Sequence, residues 1–256
     1  MNLNLRTVGR FVKTNLRSRF NPDYQLNYRG TGQINFIDVG SVGGLPDPWR
    51  KNARLVKFLL NFEPNGESAR QISSLTYNTA VWDSDAVLPF YIYKGFESTG
   101  SSLFEQNMEY VRTNYETLKL RGPAALAETW FARSALLKTI EMRCRILDGI
   151  LFDELPDVSF HFLKIDAQGA EFNILNGAQT LLSGGCIGLH LELFTVPLYK
   201  GIALLDQVQE FLSQFGFELV KKFPAHGTFA SQHDCLFLKS TGDLALLTLI
   251  KKVYEL

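Results

Sequence analysis

Four carboxylates, Asp38, Glu63, Asp166 and Glu192, fall at or near the ends of predicted strands, the region where an open parallel sheet binds its ligands. One terminal acid can cap the next helix. Four in register point to a shared polar crevice, with capping or ion pairing as the alternative for each taken singly. Asp38 leads into Gly40-Ser41-Val42-Gly43-Gly44, a turn whose glycines let main chain approach a ligand closely. Glu63, followed by Pro64, stands one strand-helix-strand unit later, where an acid can accept hydrogen bonds from a ribose diol. The turn is not a dinucleotide fingerprint, because a GxGxxG pattern from Gly40 needs glycine at two positions held by Val42 and Leu45. A nucleoside without a pyrophosphate fits this pattern better, and S-adenosylmethionine is the common one.

Asp166-Ala167-Gln168-Gly169-Ala170-Glu171 sets two acids and an amide around a glycine turn at the start of a predicted helix. Negative charge is stabilised at that helix end, and such groups can position a hydroxyl or take its proton; plain helix capping is the alternative. His190 and Glu192 share one face of their strand, which makes His190 a candidate general base near neutral pH, against the alternative of a satisfied core histidine. His161, His226 and His233 show no partner at ligand spacing. Asp166 and Glu192 offer oxygens of the kind a divalent cation takes, although the sequence indicates no metal site.

These residues must be held by alternating strands and helices. Continuous apolar runs at Ile34 to Gly40, Val56 to Phe62, Phe160 to Asp166 and Ile187 to Phe194 predict buried parallel strands. Asp47 is expected to cap a helix with Pro48 in its first turn. Thr76 to Val81 predicts a third strand, with Val87 to Tyr93 paired beside it. Residues 95–137 are expected to form a partly helical insertion over the sheet's edge or mouth, with helices from Leu103 to Thr113 and after Gly122-Pro123. A helix from Ala170 to Leu182 ends at Gly184-Gly185; another runs from Leu204 to Phe215. Phe217 to Phe223 and Asp234 to Lys239 are separated by a loop too short for a crossover helix, so they should be antiparallel. A last helix covers Asp243 to Tyr254. The expected organisation is an N-terminal helical extension over 1–33 and one α/β domain over 34–256.

Composition bounds the rest. Acids and bases balance at 26 each, which argues against a nucleic-acid partner. Cys144, Cys186 and Cys235 are isolated, without disulfide or zinc spacing, so a reducing, cytoplasmic location is expected. No signal peptide or membrane span is evident. The opening residues, with Arg6, Arg10, Lys13, Arg17 and Arg19 among apolar side chains, suggest a helix packed on the domain, or alternatively a weak membrane-surface contact.

The chain resembles the FkbM-type methyltransferases in Ile37-Asp38-Val39-Gly40, Phe62-Glu63-Pro64, Ala80-Val81-Trp82-Asp83 and Ser101-Ser102-Leu103. The likeness is strongest from Phe162 to Glu171 and continues through Leu175-Asn176-Gly177-Ala178, Leu191-Glu192, Pro197-Leu198-Tyr199-Lys200-Gly201 and Asp234-Cys235-Leu236-Phe237. The resemblance implies a Rossmann-like class I methyltransferase fold, a mostly parallel seven-stranded sheet with its last strand reversed. It implies S-adenosylmethionine as cofactor and a hydroxyl of a sugar, glycan or natural product as acceptor. Asp38 and Gly40 would flank the methionine part, with Ser41 in the same turn; Glu63, next to Pro64, would hold the ribose, and Ala80 and Val81 would border the adenine. Asp166 would face the methyl and the incoming hydroxyl. Two departures stand out: Val42 with Gly43-Gly44 where the family has Asn and a single later glycine, and Gln168 where it often has Glu, which leaves Gln168 a positioning rather than proton-accepting role. The alternatives are a binding module that has lost turnover and a nicotinamide-dependent oxidoreductase.

Overall fold

The computed structural model describes residues 32–40, 45–64, 75–95 and 100–256. The expected opening helix and Ser41, with the rest of its turn, lie outside these residues. The strands in chain order are β1 (Ile34–Val39), β2 (Val56–Phe62), β3 (Leu75–Tyr77), β4 (Ala80–Trp82), β5 (Ala86–Tyr93), β6 (Leu136–Ile146), β7 (Phe162–Ile165), β8 (Gly188–Phe194), β9 (Phe217–Lys222) and β10 (Gln232–Lys239). The helices are α1 (Met108–Leu118), α2 (Ala124–Arg133), α3 (Leu147–Glu154), α4 (Glu171–Asn176), α5 (Gln179–Ser183), α6 (Leu205–Ser213) and α7 (Leu244–Val253). No helix among the described residues is long and apolar enough to cross a membrane.

Among the described residues, seven strands make one sheet in the order β3-β2-β1-β7-β8-β10-β9. Neighbours are parallel except where β10 meets β8 and β9. The reversed last strand is what the short loop at Pro224 and Gly227 requires, since a parallel return needs a crossover. Side-chain parity divides the sheet between two cores. Ile37, Val39, Leu163, Ile165, Leu189 and Leu191 share a buried cluster with residues of α3 to α6. Phe36, Phe162 and Leu236 form another with Trp49 and α7. There Trp49 packs against Phe36, Phe162 and Tyr254, and each fully buried side chain of this size contributes roughly 1.5–3 kcal/mol.

The structure corrects several expectations. Thr76 to Val81 is not one strand: β3 ends on the main sheet, and β4 starts a separate three-stranded sheet, β4-β6-β5. The stretch Val87 to Tyr93, in β5, pairs with β6 rather than with the third strand, because β6 is long enough to hold β4 on one side and β5 on the other. Asp47 caps no helix; a 3-10 turn over Arg50–Leu55 follows Trp49 without a side-chain cap. The first insertion helix starts later, at α1, where Asn107 accepts a hydrogen bond from the Tyr110 N–H at 3.2 Å. The helix expected from Ala170 to Leu182 is broken at Gly177, where a Cβ would fall 2.2 Å from the Trp82 carbonyl oxygen. Helices α1 and α2 share a third cluster with Phe194, Tyr199 and Phe229, which sets them over the C-terminal end of β8.

Candidate functional site

The strand register assembles two polar rows on one face of the sheet. Val39 pairs with Phe62 and Ile165, and Ile165 with Leu191. The next level up therefore carries Glu63, Gly40, Asp166 and Glu192, and Asp234 of β10 stands opposite Glu192. Two residues below, Asn61, Asp38, Lys164 and His190 lie in register. All four acids expected at strand ends thus meet at one end of the sheet.

Close packing at the strand ends depends on Gly40. Its φ is +78°, and a Cβ there would fall 1.9 Å from the Asp166 carbonyl oxygen, closer than any side chain tolerates. Its N–H donates to the Phe62 carbonyl at 2.9 Å, while the Glu63 N–H donates to Tyr77 at 3.1 Å. Glu63 itself is buried. Ala80 and Val81 are also buried, and the Val81 side chain belongs to the core with Phe62 and Leu147.

Lys164, to which the sequence alone assigns no role, is the cation of the site. Its Nζ lies 3.5 Å from both Asp38 Oδ1 and Asp166 Oδ2, with Asp38 fully buried. Burial alone would lower the Lys164 pKa, but Asp38, Asp166 and Glu192 outweigh it and hold the ammonium charged.

Gln168 takes the left-handed conformation, with φ 52°, and Gly169 follows at φ 101°. This turn brings the Gln168 amide between the two upper acids, where Nε2 donates to Asp166 Oδ1 at 3.1 Å and Glu192 Oε2 at 2.9 Å. The Gln168 main-chain carbonyl accepts from the Ser102 hydroxyl at 2.7 Å, which ties the turn to the insertion. Gln232 Nε2 donates to the same Glu192 oxygen at 2.5 Å. Burial pushes the Glu192 carboxyl well above the usual range, and Asp166, Glu171 and Asp234 add to the effect. Glu171 instead turns back to accept from the Ala167 N–H at 2.9 Å, in keeping with the capping alternative, and burial pushes it up to about 8.

The structure corrects the candidate role of His190 as a base. Its Nδ1 lies 2.8 Å from the Tyr254 hydroxyl and its Nε2 3.1 Å from Asp234 Oδ1, and its ring stacks on Phe223. The Trp49 indole, a donor only, reaches the same hydroxyl at 3.0 Å. Both ring nitrogens are engaged in a buried strut. His226, by contrast, has acidic neighbours that its spacing hid: Nε2 is 3.3 Å from Asp234 Oδ2 and 3.8 Å from Glu192 Oε1.

Among the described residues no group of three or more His, Cys, Asp or Glu is arranged to hold a metal ion. Between Asp166 and Glu192 the Gln168 N–H donors fill the gap a cation would occupy. Beside these acids lies a cavity of about 250 Å³ lined by Gln168, Gln232, Gln106, Trp130, Phe194 and Tyr199 among others. The glutamines that hold Glu192 thus also face this cavity. The signal for Lys164 was present in sequence, two residues before Asp166 on the same strand face; those for Gln232, Asp234 and His226 required the register of β10.

The family model of the methyltransferase FkbM domain matches residues 49–219, a span that begins after Asp38 and Gly40. Among solved structures, the chain is similar to a methyltransferase FkbM from Methylobacillus flagellatus KT, at 12% identity and a TM-score of 0.48, over 88% of this chain and 50% of that one. The chain thus spans about half the length of that protein. It is also similar to M. capricolum TrmK in complex with S-adenosylhomocysteine, at 8% identity and TM-score 0.40 over 88% of this chain and 72% of that one. A third is the magnesium protoporphyrin IX methyltransferase of Synechocystis PCC 6803 with bound S-adenosylmethionine, at 8% identity and TM-score 0.38 over 94% and 87%. No curated protein matches the chain.

Proposed function

The chain belongs to the FkbM methyltransferase family, and from that premise we propose that it transfers a methyl group from S-adenosylmethionine to a hydroxyl oxygen of a sugar, glycan or related natural product. The observation that carries this reading is the single level formed by Glu63, Gly40, Asp166 and Glu192 across four adjoining strand ends. A side-chain-free approach at Gly40 and an acid at the next strand tip suit an adenosyl group. In this reading Glu63, beside Pro64, accepts hydrogen bonds from the ribose. Asp38, Gly40 and Ser41 border the methionine part, and Ala80 with the Val81 backbone borders the adenine.

When bound, S-adenosylmethionine supplies an electrophilic methyl carbon. The protein's contribution is then mostly positioning, holding the hydroxyl about 3 Å from that carbon. Asp166 and Gln168 orient the hydroxyl, and Glu192 takes its proton. Glu192 is preferred to Asp166 because Asp166 is partly exposed and lies against the Lys164 ammonium, whereas burial moves Glu192 toward the proton affinity a base needs near neutral pH. The neighbouring cavity, about 250 Å³ with aromatic faces at Trp130 and Tyr199 and amides at Gln106, Gln168 and Gln232, suits one ring-sized polyhydroxyl group. It lies just under the usual range for small-molecule sites, roughly 300–1,000 Å³.

Titration calorimetry with S-adenosylmethionine and S-adenosylhomocysteine tests the cofactor assignment. Glu63→Ala should weaken binding roughly 10- to 100-fold, the value of hydrogen bonds to a charged group. Equal affinity of variant and parent would remove Glu63 from the ribose.

A further inference from the structure

Methylation of a hydroxyl frees a proton deep in the site, so a route outward is required, a need that rests on the O-methyltransferase reading above. We propose that His226 is that outlet, taking the proton from Glu192 and releasing it to solvent, with Asp234 as the positioning residue whose carboxylate stabilises the imidazolium that forms.

The two oxygens of Glu192 differ. Oε2 already accepts from Gln168 and Gln232, which leaves Oε1 as the oxygen that can carry a proton. Oε1 is the one that faces His226, 3.8 Å from Nε2. That nitrogen is shielded from solvent and makes no hydrogen bond among the described residues, although Asp234 Oδ2 lies 3.3 Å away. The His226 side chain is nevertheless 39% exposed. One imidazole thus presents an inner nitrogen to the buried carboxyl and the rest of its ring to water. A closing movement of about 1 Å brings Nε2 and Oε1 to hydrogen-bond distance.

The surroundings hold this arrangement. His226 and Gln232 exchange backbone hydrogen bonds at 2.9 and 3.3 Å. Between them Gly227, with φ +78°, leaves room for the Gln232 side chain, whose Oε1 would lie 2.4 Å from a Cβ there. Asp234 is fixed from its other side by the strut of His190 and Tyr254. Asp234 is also kept ionised: burial would raise its pKa, but hydrogen bonding and charge from His190, with His226 and Lys164, bring it below the ordinary value.

In the transfer step the hydroxyl oxygen's lone pair forms the C–O bond as the C–S bond breaks with its electron pair left on sulfur. The hydroxyl proton goes to Glu192 Oε1, then to the lone pair of neutral His226 Nε2, and water takes the other ring proton, from Nδ1 of the imidazolium.

Such an outlet needs a proton to pass between the two groups, so the charge on one must be felt by the other. The charged or titratable groups around Glu192 are Asp166 and Lys164 from β7, Glu171 from α4, Asp234 from β10, Tyr199 after β8, and His226 itself. The test monitors imidazole titrations by long-range proton–nitrogen NMR on the full chain without acceptor, with His226→Gln to assign the signal. Replacing Glu192 by Gln removes a negative charge that favours the imidazolium. At 3.8 Å a fully ionised Glu192 under water-like screening accounts for about 0.8 pH unit, and the drop in the His226 midpoint scales with the ionised fraction. A change below about 0.3 unit would overturn the proposal. If Glu192→Gln does not fold, His226→Gln gives the reciprocal reading, a rise of similar size in the Glu192 carboxyl midpoint by carbon NMR.

A second arm separates a relay from a merely structural ion pair. With S-adenosylmethionine and a panel of glycosides, His226→Gln should lower kcat about tenfold in dilute buffer, leave KM unchanged, and recover with added imidazole. Impaired turnover that imidazole does not restore would refute the relay. Failure to bind S-adenosylmethionine would remove the functional reading instead, and the titration arm would still decide the coupling.

Discussion

Replacing Lys164 by Met should unbalance the site strongly, because it removes an ammonium that lies between two of its acids. Lys164 Nζ is 3.5 Å from Asp38 and from Asp166, and Asp38 is fully buried. Each contact amounts to about 5 kcal/mol of Coulomb energy at an effective dielectric near 20. Much of that is offset by the desolvation of the lysine, so the measurable quantity is the cost of leaving a buried carboxylate behind. Breaking a buried pair in this way costs about 3–5 kcal/mol; the low end applies, since Lys164 keeps some exposure and Asp166 more. About 3 kcal/mol corresponds to a fall of roughly 6–12 °C in Tm for a domain near 250 residues. The assay is thermal unfolding followed by circular dichroism at pH 7, on Lys164→Met, Asp38→Asn and the double variant. The double variant should recover part of the loss, because Asn leaves no charge to strand. A Lys164→Met Tm within about 2 °C of the parent, or losses that simply add, would refute the picture of a cation held by the two polar rows.

Gly40→Ala should lower stability by about 3 kcal/mol or more, combining the cost of a left-handed alanine with a clash against backbone, since its Cβ would fall 1.9 Å from the Asp166 oxygen; an unchanged Tm would show that the strand ends are looser than described. Glu171→Gln tests the raised carboxyl, which burial moves from 4.5 to about 8. Between those values the folded chain holds a proton that the unfolded chain has lost, so the parent should lose stability as pH rises from about 5 to 8, by up to a few kcal/mol. Gln keeps the hydrogen bond to Ala167 without titrating, so its urea midpoint should vary less over that window. Parallel pH profiles for variant and parent would contradict the assignment.

The large sheet was legible because burial on both faces writes continuous apolar runs into β1, β2, β7 and β8, and because the loop before β10 is too short for a crossover. The small sheet was not. Residues of β6 alternate charged and apolar side chains while much of the strand is exposed, so no apolar run marks it, and without β6 the strands β4 and β5 have no shared partner to reveal them. Gly177 illustrates a different limit: a glycine within a helical pattern signals little until the Trp82 carbonyl that it accommodates is known.

The four acids are visible from strand ends alone, yet their chemistry is not, and the reason is register. Parity along β7 puts Lys164 beneath Asp166, but only the pairing of Asp38 with Lys164 and of Lys164 with His190 turns separate residues into a row in which a cation meets a carboxylate. The same holds across the antiparallel pair, where Asp234 stands opposite Glu192 and Leu236 opposite His190. A shift of one residue there would turn Asp234 to the other face and leave His190 without its acceptor. Sequence spacing therefore identifies which acids reach one end of the sheet, whereas the balance of charge among them depends on hydrogen-bonded register. His190 shows the consequence: parity places it correctly beside Glu192, but Asp234 and Tyr254 take both ring nitrogens.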